Sequence, residues 1–302
     1  MYIVDMHCDS LLEVTSERGL KTPYNLSREY PQLQFVAEYV PRQGEPSEAR
    51  RRRLMHYLDM YIAERDRLGF VAINDCRDLN FAIECGEYSS LLSIEGGGGL
   101  FADSPELETL YRAGLRVLGL AWDKNELTAS AFDEDDTGLT SAGRELALRA
   151  SEMGIILDVS HMSDRATEEL LAITPYPVIA THSNFREVTD VKRNLPRELA
   201  REIAARGGVV GLNLYPPTLR GDAPATLDDV CRHVDFALEN FGEDVLGFGF
   251  DIDGTDGEYP LGLDEHSSIH DRVVNMLSAR YGERITEKIA GGNVISFLKA
   301  NL

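Results

Sequence analysis

The residues with the clearest chemical potential in this 302-residue chain are His7 and Asp9, Glu95, His161, His182, and Asp251 with Asp253. Each sits at the end of a short apolar run. His7 and Asp9 close "MYIVDMHCDS"; Glu95 ends "LLSIE" ahead of four glycines; His161 ends "DVSH"; His182 ends "ATH"; the two aspartates end "GFGFDIDG". Side chains two apart on a strand share a side, so His7 and Asp9 can reach one point. An H-x-D alone is a weak signal, since a hydrogen-bonded polar pair accounts for it equally well. Five of the eight apolar runs ending in His, Glu or Asp is a far stronger one. Neutral imidazoles and carboxylates suit zinc and its neighbours. Three histidines and three carboxylates exceed one tetrahedral site. They suit two ions ~3.5–4 Å apart that share a bridging carboxylate, a pair able to hold a hydroxide and polarise a carbonyl. The constellation reads as metal-assisted hydrolysis.

The runs that must carry these residues are 2–6, 70–74, 91–95, 115–121, 155–160, 177–181, 208–214 and 246–250. Amphipathic stretches such as 104–114, 141–154 and 196–208 separate them, each with a helix start signal and a glycine near its end. In "SPEL", Ser104 is placed for an N-cap and Pro105 for the first helical position. Alternating strands and helices predict parallel strands with crossover helices. Eight strands predict a closed (β/α)8 TIM-type barrel, ordinarily ~250 residues, with an open doubly wound sheet as the alternative. Chemistry in such barrels gathers where the strands end. The whole chain, 1–302, reads as one domain, and the surplus length fits an insertion at 20–67 after the first strand. "GGNVISFLKANL" reads as a final helix.

Thirty basic against fifty-one acidic residues leave a formal net charge of -21, which disfavours nucleic acid and anionic lipid as partners. No apolar run approaches the ~20 residues of a membrane-spanning helix, and polar residues arrive too early for a secretory signal. The four cysteines, Cys8, Cys76, Cys85 and Cys231, have no metal-type spacing and read as reduced thiols of a cytoplasmic protein.

The stretches "DMHCDSL", "SIEGG", "LDVSHMSD", "PVIATHSN", "KRNLP", "GGVVGLNLY" and "GFGFDIDG" together resemble the renal (membrane) dipeptidase family of zinc peptidases, in that family's order across residues 5–254. The resemblance implies two Zn2+ per chain, with other divalent metals as substitutes. His7 and Asp9 would hold one ion, His161 and His182 the other, and Glu95 would bridge them. It implies that Arg193 receives the substrate's terminal carboxylate, that Asp251 assists proton transfer, and that Tyr215 lines the pocket. Guanidinium forks bind carboxylates in bidentate fashion, and an aspartate near two cations stays ionised and can shuttle a proton, so the chemistry agrees. One position departs from the family: Trp122 stands where the animal enzymes carry a histidine that steadies the reacting carbonyl. An indole N–H only donates, so Trp122 is expected to wall the substrate pocket or simply to pack.

The expected function is therefore a metal-dependent dipeptidase. It would cleave dipeptides with a free C-terminal carboxylate, D-residues at that position within its range, by attack of a metal-bridging hydroxide. The rivals are an amidohydrolase of N-acyl amino acids and a non-catalytic metal-barrel binding protein. Dipeptides are the expected partners, nucleic acid and membrane are not, and a homodimer is left open.

Overall fold

A computed structural model describes residues 1–9, 26–39, 45–255, 258–263 and 268–302. Eight strands are found: β1 (Ile3–Cys8), β2 (Gln32–Tyr39), β3 (Val71–Ala72), β4 (Ser89–Glu95), β5 (Leu115–Gly119), β6 (Ile156–Asp158), β7 (Val210–Leu212) and β8 (Leu246–Phe248). They pair in parallel in the order β6–β5–β4–β2–β1–β8–β7, with β3 attached to β4 off that path. Residues 179 and 180 bond to both edges of the sheet. Ile179 N donates to Leu157 O and Val159 N to Ile179 O; Ala180 N donates to Val209 O and Gly211 N to Ala180 O. Two edges reaching one segment require the sheet to curl. The fold is thus an α/β arrangement of parallel strands in a curled sheet.

The strands differ from the expected set in three places, and in one of them the run at 177–181 contributes only isolated bridges at Ile179 and Ala180. The run at 70–74 yields only the two-residue β3. The long charged stretch 20–67 instead supplies β2, a central strand, and the helix Ser47–Leu68; its residues 20–25 and 40–44 lie outside those described. β2 was hidden because one of its faces carries Gln32, Gln34 and Glu38, all buried, where an ordinary buried strand carries apolar residues. Gln32 Nε2 donates to Gln34 Oε1 and Gln34 Nε2 to Asp5 O. Glu38 has no hydrogen-bond partner for either carboxyl oxygen, and burial holds its pKa well above the carboxylate range.

The expected helices form over Pro105–Ala113, Ser141–Glu152, Arg197–Ala205 and Asn293–Asn301. Pro105 is at the first helical turn as expected, but the Ser104 hydroxyl accepts from Phe101 N instead of capping the helix. Two apolar layers hold the sheet. Inside its curve lie Val4, Met6, Leu33, Phe35, Leu91, Val117, Ile156, Ile179 and Val209. Val294, Phe297 and Leu298 of the last helix join that cluster. On the convex side Ile3, Cys8, Val36, Leu92 and Ile94 pack under the helices.

This packing also traps a histidine remote from the strand ends. His233, on the helix Leu227–Phe241, is fully buried, accepts from Phe185 N at Nδ1 (3.2 Å), and has Nε2 3.4 Å from Leu219 O. Burial lowers its pKa from 6.5 to about 4, against the upward pull of the Leu219 carbonyl. The native state therefore keeps it neutral while the unfolded chain protonates below about 6.5. The resulting stability is present above that pH and is lost as pH falls toward 4, on the order of 3 kcal/mol in all. Denaturant unfolding should accordingly show a steeper loss between pH 7 and pH 4.5 for the wild type than for His233→Gln. Parallel curves would show that the imidazole is not held neutral.

Candidate metal centre and substrate cavity

β1 brings the first ligand candidates into place by breaking its own alternation. Val4 and Met6 face the inner layer, so strict period two would turn His7 outward, toward the helices. Between Asp5 and Cys8 the register shifts: three steps on β1 match two on β2, from Asp5↔Gln34 to Cys8↔Val36. This bulge sends Cys8 to the convex side and aims His7 and Asp9 into the curve. Asp5 secures it. Its Oδ1 accepts from His7 N (3.2 Å) and from Phe250 N (3.0 Å), and its Oδ2 pairs with His270 Nε2 at 2.7 Å. One buried carboxylate thus ties the β1 bulge to the chain just before Asp251.

The remaining candidates converge on the same point. His7 Nε2 lies 3.6 Å from Asp9 Oδ2, 3.7 Å from Glu95 Oε1 and 3.8 Å from Asp251 Oδ1. Glu95 Oε1 lies 2.9 Å from His161 Nε2 and 3.1 Å from His182 Nε2. Two of the residues reach their places through strain: among the described residues, His161 (φ 66°) and Asp251 (φ 59°) are the non-glycine residues with left-handed backbone. Such conformations cost ~1–3 kcal/mol each and gather at functional sites. Behind His182, Thr181 donates its hydroxyl to Asp158 Oδ2 (2.5 Å) and lies 2.8 Å from His182 Nδ1. The threonine oxygen then accepts from Nδ1–H, and the lone pair is left on Nε2, facing Glu95.

The electrostatics of the cluster call for cations. His7 Nε2, Asp9 Oδ1 and Glu95 Oε1 are buried without a hydrogen-bond partner. Burial alone would lower the His7 pKa, but Glu95, Asp9 and Asp251 outweigh it and push it up to about 10. Burial holds Glu95 well above its ordinary range, against His7 and Arg193, and holds His161 and His182 well below theirs, with Arg193 and His7 adding to the fall. Asp251 rises to about 6, by burial first and then Asp9, against His7, Arg193 and the hydrogen bond from Asn213. Buried lone pairs aimed at a common centre, with too much negative charge around it, form a donor set that fits divalent metal. His7, Glu95 and His182, and likewise His7, Asp9 and Asp251, offer ligand atoms within 4.8 Å of one another.

A cavity of about 800 Å³ opens over the cluster, lined among others by Trp122, Arg193, Tyr215 and Asp251. Arg193 donates from Nη1 to Ser183 Oγ (3.0 Å) and from Nη2 to His182 O (2.8 Å). Nine of the ten residues singled out in the sequence, all but Asp253, therefore meet at one place. Several more were missed there. Asn213 donates to Asp251 Oδ2 (3.1 Å), and Tyr39, Phe132 and Lys192 line the cavity. Asn213 could have been found as the polar end of its strand; Tyr39 was out of reach once β2 went unrecognised. The backbone of Asp253 enters a short 3-10 turn with Gly254 and Thr255.

The family model described as membrane dipeptidase (peptidase family M19) matches residues 1–301. A Klebsiella pneumoniae protein described as an uncharacterized protein in the pqqA 5′ region is 32% identical over 218 residues, covering 68% of this chain and 79% of that protein. Mouse dipeptidase 3 is 27% identical over 271 residues, covering 87% of this chain and 54% of the mouse protein, so the chain spans about half of that relative. A metallo peptidase from Rhodobacter sphaeroides, liganded with a phosphinate mimic of the dipeptide L-Ala-D-Ala, shares the fold. Its TM-score is 0.86 at 24% identity, over 100% of this chain and 99% of that one.

The crowding at the centre generates a test. A Cβ on Gly254 would collide with Asp251 Oδ1 and Asp9 Oδ2. Gly254→Ala should leave the far-ultraviolet circular dichroism unchanged yet lower the divalent metal retained after dialysis by about 10-fold or more, the scale of a disturbed ligand shell. Full metal retention by this variant would mean that the two carboxylates move aside freely.

Proposed function

The chain belongs to the membrane dipeptidase family of metallopeptidases, and we propose that it cleaves dipeptides carrying a free C-terminal carboxylate at a two-metal centre. The single observation that carries this reading is the meeting of a cation-fitting donor set, a half-buried arginine and a perturbed carboxyl in one cavity. His7, Asp9 and Glu95 would hold one ion, and Glu95, His161 and His182 the other, with zinc the first expectation for nitrogen and oxygen donors. Bound there, the ions supply Lewis-acid polarisation of the scissile carbonyl and acidification of water. The L-Ala-D-Ala mimic bound by the Rhodobacter sphaeroides protein supports extending the range to a D-configured C-terminal residue.

The chain's own residues then divide the work. Arg193, anchored by His182 O and Ser183 Oγ, presents its fixed guanidinium to the substrate carboxylate and sets the position of the peptide bond. Asp251 has Oδ2 engaged by Asn213, which leaves Oδ1 on the His7 side to take a proton from the attacking water. The same oxygen returns that proton to the leaving amine nitrogen, which cannot depart without it. Tyr215 forms part of the wall next to Arg193. For the scaffold, we read the sheet as a closed (β/α)8 barrel within a single domain, supported by the bonding of residues 179 and 180 to both edges. The four cysteines, none of them in a disulfide, support a reducing, cytoplasmic setting. Among the described residues no helix is long and apolar enough to cross a membrane.

Two substitutions separate these roles. Asp251→Asn should keep its metal, as measured by elemental analysis, and lose ~10²–10⁴-fold in turnover on every dipeptide tested. Loss of metal along with activity would make Asp251 a ligand instead. Arg193→Ala should weaken productive binding of dipeptides by ~1.5–3 kcal/mol while affecting C-terminally amidated analogues much less. Equal losses on both would show that the arginine does not read the carboxylate.

A further inference from the structure

The cavity wall is chemically lopsided. On one arc of the strand-end rim, Tyr39 closes β2 and Trp122 follows β5; the loop bearing Phe132 is tied to the site by Ala131 N donating to His161 O. Trp122 meets Tyr39 edge-on, with ring centroids 5.1 Å apart at 83°, and lies 5.9 Å from Phe132. Both Trp122 and Phe132 flank His161, at 6.1 and 5.5 Å. Phe132 remains 58% exposed, an unusual state for a large apolar side chain beside a cavity. The opposite arc, after residue 182 and at the ends of β7 and β8, carries Arg193, Asn213 and Asp251. β2 and β5 are on the far side of β1 and β8 from β7 in the strand order, which separates the two arcs.

We propose that Trp122, Tyr39 and Phe132 form a subsite that selects a bulky apolar or aromatic side chain on the amine-side residue of the dipeptide; this rests on the dipeptidase reading. A substrate held by its carboxylate on Arg193 and by its scissile carbonyl at the ligand cluster has its C-terminal residue on the polar arc. Its N-terminal residue continues past His161 to the aromatic wall. A cavity of about 800 Å³ has ample room for a ring there. Offset and edge-on contacts are the arrangements aromatic rings prefer, so Trp122 and Phe132 favour an aromatic guest over a small one.

Trp122 is the chain's single tryptophan, so its emission reports on this wall. The metal-loaded protein should hydrolyse Phe-Ala and Leu-Ala with kcat/KM about 10- to 150-fold above Gly-Ala, the discrimination apolar pockets deliver. The ratio should fall to within a few-fold in Trp122→Ala and be largely kept in Trp122→Phe. Phe132→Ala, at an exposed position, should lower it several-fold and guards against a Trp122 variant that fails to fold. A phosphinate analogue of Phe-Ala should shift the emission saturably, and one of Gly-Ala far less. An unchanged ratio in Trp122→Ala and Phe132→Ala, or a preference confined to the C-terminal residue, overturns the subsite while leaving the dipeptidase reading intact. If the wild type cleaves no dipeptide, the dipeptidase reading fails. The emission titration then decides the subsite alone, with no response to the Phe-Ala analogue overturning it.

Discussion

The Asp5 carboxylate is the interaction on which the site depends. It accepts from His7 N, freed from the ladder by the bulge, and from Phe250 N, and it pairs with His270 from the helix Ile269–Tyr281. A buried carboxyl group is costly unless it is hydrogen-bonded, and here three groups from three parts of the chain engage it. The return is geometric. The bulge turns His7 and Asp9 inward, and the same oxygen fixes the segment that delivers Asp251.

Around that anchor the fold holds a cluster that would otherwise fly apart. Carboxylates of Asp9, Glu95 and Asp251 face one another, and His161 and Asp251 keep left-handed backbone. Isolated loops would relax both. The parallel sheet prevents it, because the segments that carry His7, Asp9, Glu95, His161 and His182 each place a residue in the apolar inner layer beneath. Gly211 and Gly249 allow that closeness, since a Cβ on either would strike the Thr181 carbonyl. Thr181 in turn relays Asp158 to His182, so scaffold and ligand shell are one structure.

Division of labour follows from position. Groups aimed at the centre come from strand ends and a rigid backbone, which suits chemistry that tolerates little displacement. Groups on the rim, Trp122 and Phe132 above all, sit just beyond the strands, where a change of side chain alters the cavity wall and leaves the ligands in place.

Much was settled by the sequence by itself. Residue types at run ends named the side chains that the fold brings to one centre, and short apolar runs alternating with amphipathic stretches named a parallel α/β scaffold, because both signals are local. Three things were decided only by tertiary structure. β2 could not be read, since Gln32, Gln34 and Glu38 are polar residues whose burial depends on neighbours far along the chain. The facing of His7 could not be read either: period two alone points it away from the centre, and the bulge that corrects this is held by Phe250 and His270, some 245 and 265 residues distant. Nor was the aromatic wall legible, because Tyr39, Trp122 and Phe132 share no spacing and become neighbours only when the sheet curls. Local pattern specifies what a segment can be; which way it faces depends on what it packs against.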